Sequence, residues 1–75
     1  AHDVYTAGEA YVAENIDATS GDINYNSGNC TTGYIAGAYS AKNPGSSVKS
    51  CATSGGPNTF AVAVTSINGK SYSLP

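Results

Sequence analysis

The sequence predicts an α+β domain: one N-terminal helix packed on a roughly four-stranded antiparallel sheet, with one disulfide. Three observations predict it. The stretch DVYTAGEAYVAEN is almost the only one with helical character. After Cys30, apolar residues alternate with polar ones and are broken by Pro, Gly and Asn, as strands and turns are. Cys30 and Cys51 are the only cysteines, and the one histidine, His2, cannot complete a closed zinc site with them. One bridge is therefore expected, closing a loop of about 22 residues and stabilising the chain by about 3 kcal/mol. A bridge implies an oxidising compartment.

The helix is expected from Asp3 to Ile16, with Asp3 as N-cap. At 100° per residue, Val4, Tyr5, Gly8, Tyr11, Val12 and Ile16 share an arc of roughly 140° that would face the sheet. Ala10, Ala13 and Glu14 crowd the other side with Asp3 and Thr6, and the two alanines would let another helix come close. Gly8 weakens such a helix by about 1 kcal/mol relative to Ala. A helix this short is marginal alone, so packing or continuation must hold it.

DATSGDINYNSGN, residues 17–29, reads as a loop with turns, anchored by Ile23 and Tyr25. Within it, Asp22, Asn24 and Asn26 alternate like the first ligands of a calcium loop. The match stops there: Gly28 falls one place late, and the twelfth position is Gly33 instead of a glutamate. Strands are expected over Thr32–Ser40, Val48–Thr53, Thr59–Ile67 and Lys70–Leu74. Turns are expected at Lys42-Asn43-Pro44-Gly45, Ser54–Asn58 and Asn68-Gly69. A three-residue last turn with Gly69 in a bulge would pair Val64 with Tyr72 and Val62 with Leu74, keeping the apolar groups on one face. Tyr34 and Tyr39, on opposite parities of one strand, would not both point inward.

With 75 residues the chain is one small domain, 1–75, whose thin core calls for extra fastening. Charged residues are scarce at 11%, while there are ten serines and seven threonines, a composition that fits a secreted or assembled protein. A net charge of −2 and three scattered lysines argue against nucleic acid as a partner. No apolar run is long enough to span a membrane. These residues hold no signal peptide, so an exported chain would be a mature or trimmed form. The charges are segregated: Asp3, Glu9, Glu14, Asp17 and Asp22 precede Cys30, and Lys42, Lys49 and Lys70 follow it. The two parts would attract each other within one domain, or identical copies would attract head to tail.

No catalytic constellation is legible. Glu9 and Glu14, about 140° apart on a helix, do not converge like a glycosidase pair. The Gly-rich SGGPN stretch lacks the lysine and helix of a phosphate loop. An enzyme is not expected, nor a cofactor. Asn29-Cys30-Thr31 fits the N-glycosylation sequon, but a bridged cysteine stands in its middle.

DVYTAGEAYVAEN, a polar loop, and a short sheet closing in FAVAVTSINGKSYSL resemble, in that order, the globular head of bacterial type IV pilins and pseudopilins. The resemblance implies that the helix is the lower half of a longer filament rod and lies on an antiparallel sheet. It implies a non-catalytic structural subunit of a pilus at the cell surface. Its partners would be copies of itself, a hydrophobic spine helix on a separate chain, or both. The family's hydrophobic N-terminal segment is not among these residues, which implies a trimmed chain or a separate spine. Ala10, Ala13, Glu14, Lys42, Lys49 and Lys70 are then the interface candidates. The other reading is a small secreted single-disulfide effector or toxin-like binding module. A third, a calcium-binding pseudopilin head, would use Asp22, Asn24 and Asn26.

Overall fold

The computed structural model describes residues 2–42 and 45–75. The turn expected at Lys42–Gly45 centres on residues 43 and 44, outside the described ones. Helix α1 spans His2–Glu14. Asp3 therefore lies in its first turn instead of capping it, where a carboxylate favours the helix dipole. At the other end, Asn15 stops the helix. Its backbone N–H and its side-chain Nδ2 both donate to the Tyr11 carbonyl, each at 2.9 Å. Ile16, expected on the buried face, thus falls beyond the last turn and is 96% exposed.

The buried stripe of α1 is Val4, Ala7 and Gly8, with Tyr5, Tyr11 and Val12 packed partly against the core. Ala7 was not expected there. Gly8 has a reason to be glycine that outweighs its helix penalty. A Cβ at this position would enter the ring of Phe60 and stand 3.0 Å from the Tyr34 hydroxyl. The missing side chain lets two aromatic rings meet the helix backbone.

The loop after α1 contains one short helical turn, α2 (Ser20–Ile23), and a 3-10 turn at Tyr25–Gly28. Thr19 and Asp22 form a capping box: the Asp22 N–H donates to Thr19 Oγ1 at 3.3 Å, and the Thr19 N–H donates to Asp22 Oδ2 at 2.9 Å. Ile23 is fully buried, as an anchor should be. Tyr25 is exposed, set edge-on to Tyr34 with ring centroids 6.4 Å apart.

The sheet expectation needs a correction. Among the described residues there are five strands in two antiparallel sheets. The single strand expected over Thr32–Ser40 is a hairpin, β1 (Tyr34–Ala36) and β2 (Tyr39–Ala41), turned by Gly37 and Ala38. Gly37, at φ 59°, takes the left-handed first position that two-residue hairpins favour. The fold-back resets the parity. Tyr34 pairs with Ala41 and Ala36 with Tyr39, so both tyrosines share one face, Tyr34 buried and Tyr39 half-buried. The second sheet is β3 (Val48–Ser54), β4 (Ala61–Ser66) and β5 (Ser71–Leu74), in that order. Its last turn is the bulged three-residue loop the sequence predicts. Ser66 N–H donates to the Lys70 carbonyl at 2.8 Å, Gly69 has φ 89°, and the register joins Val64 to Tyr72 and Val62 to Leu74.

The core lies where α1, the β1–β2 hairpin and one face of the three-stranded sheet converge. It holds Val4, Ile23, Tyr34, Phe60, Val62 and Val64 with the two cysteines. The rings of Tyr5, Phe60 and Tyr34 follow one another at centroid distances of 5.9 and 6.2 Å. Such pairs add about 0.5–1.5 kcal/mol each beyond their burial.

Candidate interaction surfaces

The outer edge of β3 is sealed by residues 29–31. Asn29 bridges Ala52, the Cys30 N–H donates to the Cys51 carbonyl at 3.1 Å, and the Cys51 N–H donates to Thr31 Oγ1 at 3.2 Å. The Cys30–Cys51 disulfide fixes this pairing, with Cα atoms 4.9 Å apart. One step further along β3, Asn24 joins the loop to the sheet. Its Oδ1 accepts from the Thr53 hydroxyl at 2.8 Å, and its Nδ2 donates to the carbonyls of Ser20 and Gly55 at 2.7 and 2.8 Å. The buried Thr53 hydroxyl is thereby satisfied, which removes a burial cost of about 1–3 kcal/mol.

The calcium candidates serve this loop. Asp22 Oδ2 accepts at the capping box, and Asn24 Oδ1 accepts from Thr53. Asn26 adopts a left-handed backbone at φ 55° with its Nδ2 directed to the Asn29 carbonyl, 3.4 Å away. Among the described residues, no group of three or more His, Cys, Asp and Glu is placed to hold a metal ion. Nor is any helix among them long and apolar enough to cross a membrane.

Tyr34 is the one buried tyrosine among the described residues. Its hydroxyl donates to the Ile23 carbonyl at 2.7 Å, inside the core. Burial pushes its pKa from 10.0 up to about 12, because the phenolate would lose its water.

The interface candidates divide between several surfaces. Ala13 and Glu14 are exposed at the end of α1, while Ala10 is half-buried. It lines an open groove with Asp3 and Thr6, whose other wall is Tyr39–Lys42. The two alanines therefore do not form one free flat back, because the β1–β2 hairpin flanks the helix on the Ala10 side. Lys42, Lys49 and Lys70 are all exposed. Among the described residues, the single ion pair is His2–Asp3 at 3.9 Å, and no lysine lies within 4.0 Å of a carboxylate. The expected attraction between the acidic and basic parts is therefore not realised as ion pairs inside the molecule.

Sequence reasoning missed the exposure of five large apolar residues, among them Ile35 and Tyr25, the latter expected as an anchor. Ile16 and Ile67 are 96% and 68% exposed, and Tyr72, on the apolar face of β5, is 58% exposed. Alternation marks Tyr72 correctly as facing the same way as Val64, but it carries no information on what covers that face. Compared with known proteins, the chain matches no family model, no curated protein and no solved structure.

Proposed function

We propose that this chain is the head domain of a subunit in a type IV pilus or pseudopilus-like extracellular filament, with a structural and not a catalytic role. The observation that carries the reading is the way α1 meets the rest of the fold. An N-terminal helix packs chiefly on the β1–β2 hairpin and reaches the three-stranded sheet where Gly8 and Tyr5 meet Phe60, the residue before β4. A helix over antiparallel strands is the coarse arrangement that the resemblance to pilin heads implies, although here the strands form two sheets instead of one. The buried disulfide is compatible with an extracellular site. The filament's spine would be an apolar helix preceding α1 or carried by a separate chain.

The test is to supply that spine. The chain is joined ahead of His2 to an apolar helix of about 20 residues, or produced beside a separate helix of that kind, in a cell with pilus assembly machinery. Filaments sheared from the surface are then imaged by cryo-electron microscopy. Density for this head on the outside of the filament is the expected result. Filaments that never carry it, with the chain recovered as free monomer in the medium, would remove the proposal and favour a secreted binding module.

A further inference from the structure

Lys49 and Lys70 on one side and the loop carboxylates on the other lie toward opposite ends of strand β3. Strand β3 sets the direction. At its Ser54 end, Asn24 reaches Gly55, two residues beyond Asp22. At its Val48 end, Val48 pairs with Ser66, and the Ile67 N–H donates to the Ser47 carbonyl at 3.1 Å. Six strand steps at about 3.3 Å separate these ends by about 20 Å.

The surface chemistry at the two ends is matched and opposite. At one end, Ile16 stands almost wholly in solvent within a shallow depression also lined by Glu14, Asp17 and Asp22. At the other, exposed Ile67 opens the turn after β4, the central strand, with exposed Lys49 near the start of β3, exposed Lys70 just ahead of β5, and Tyr72 exposed on β5. Strand β5 is the last in its sheet, and no described strand pairs with its outer edge. Each end thus joins a protruding isoleucine to charge of a single sign, and among the described residues no lysine is paired with a carboxylate.

We propose that these ends are the two halves of one head-to-tail contact between copies of this chain. The Lys49–Ile67–Lys70–Tyr72 surface of one copy would receive the Glu14–Ile16–Asp17 surface of the next. The occupant is a second copy because both signs of charge, and both exposed isoleucines, belong to the same sequence. A contact between two different patches does not close on itself unless its rotation happens to form a ring, so it propagates as an open chain. For its biological setting this rests on the filament reading, whose polymer would need such a head contact. The contact itself is a property of the isolated chain.

Sedimentation velocity tests it on the chain alone, without any spine. Concentration-dependent association is expected by about 1 mM protein. It should be about tenfold stronger at 0.01 M than at 1 M ionic strength, where the screening length falls from about 30 Å to about 3 Å. One variant carries Lys49→Glu with Lys70→Glu, and a second carries Glu14→Lys with Asp17→Lys. All four positions are exposed, so folding is checked by circular dichroism in each variant. Each variant alone should be monomeric, since like charges then meet at every contact. Mixed together, the two should associate again in alternation. A wild-type chain that stays monomeric at low salt would overturn the contact, as would variants that associate like wild type or a mixture that stays monomeric. Filaments that incorporate charge-reversed heads as well as native ones would sink this inference and leave the filament reading standing. Heads that associate in solution but never enter filaments would do the opposite.

Discussion

Strands β4 and β5 are neighbours in one sheet, carry the same alternating pattern and present their apolar residues to the same face. Yet Val62 is fully buried while Tyr72, directly opposite Val64, is 58% exposed. The difference is coverage. The Val62 and Val64 side chains lie under Val4, Tyr34 and Ile23, brought there by α1, the β1–β2 hairpin and the loop. Tyr72 is not among the residues packed into that cluster. Pleating decides which way a side chain points, and packing layers decide whether water reaches it. One half of the sheet face is therefore a core, and the other half is a surface.

The comparison can be broken hardest at Phe60, which wedges against Gly8 and between the rings of Tyr5 and Tyr34. Phe60→Ala should destabilise the chain by about 3–5 kcal/mol, the usual cost of removing a buried ring. Urea unfolding monitored by far-ultraviolet circular dichroism measures it. A loss below about 1 kcal/mol would mean that the helix does not depend on this contact.

A smaller effect belongs to Tyr34. Tyr34→Phe leaves the Ile23 carbonyl without its donor and should cost about 1–2 kcal/mol near neutrality. The same variant also has a pH signature. The folded phenol titrates at about 12 against 10.0 when unfolded, so the unfolded state releases its proton first as pH rises. Stability from this group is fully present below pH 10 and is lost between about 10 and 12. The melting temperature of the wild type should therefore fall more steeply across that window than that of Tyr34→Phe. Parallel slopes would show that the hydroxyl is not held in the core.

The smallest effect should be at Tyr72. Tyr72→Ser removes a ring that is mostly in water, and monomer stability should change by no more than about 0.5 kcal/mol. Thermal unfolding of the dilute protein measures it. A loss as large as that of Phe60→Ala would place Tyr72 in the core and erase the distinction between the two strands.

Much of this fold was legible in residues that act locally. The Phe60–Val64 alternation marked a strand with one apolar face, and Asn68-Gly69 with its flanking apolar residues fixed a bulged turn and a register that the structure shares. Cys30 and Cys51 were legible as a bridge because no other cysteine exists. The failures came where a local signal admitted two geometries. Gly37 within TGYIAGAYS permits either a strand or a sharp reversal, and the reversal wins because it puts Tyr34, Ala36, Tyr39 and Ala41 together on the face beside α1. The helical arc placed Ile16 inward, but Asn15 ends the helix first. Asn24 looked like a cation ligand in sequence, whereas its partners Thr53 and Gly55 lie 29 and 31 residues away.

By itself, then, the sequence determined the element types, the single covalent bridge and the segregation of charge into an acidic first part and a basic second part. These follow from dihedral preference, two-residue alternation and composition, all readable from near neighbours in the chain. Only the tertiary structure decided that Lys49 and Lys70 lie at one end of β3 and the Asp22 loop at the other, with no lysine–carboxylate ion pair among the described residues, and that Tyr72 stays exposed. Those outcomes depend on how far α1 and the hairpin reach across the sheet, which is set by contacts between residues distant in sequence that no local pattern encodes.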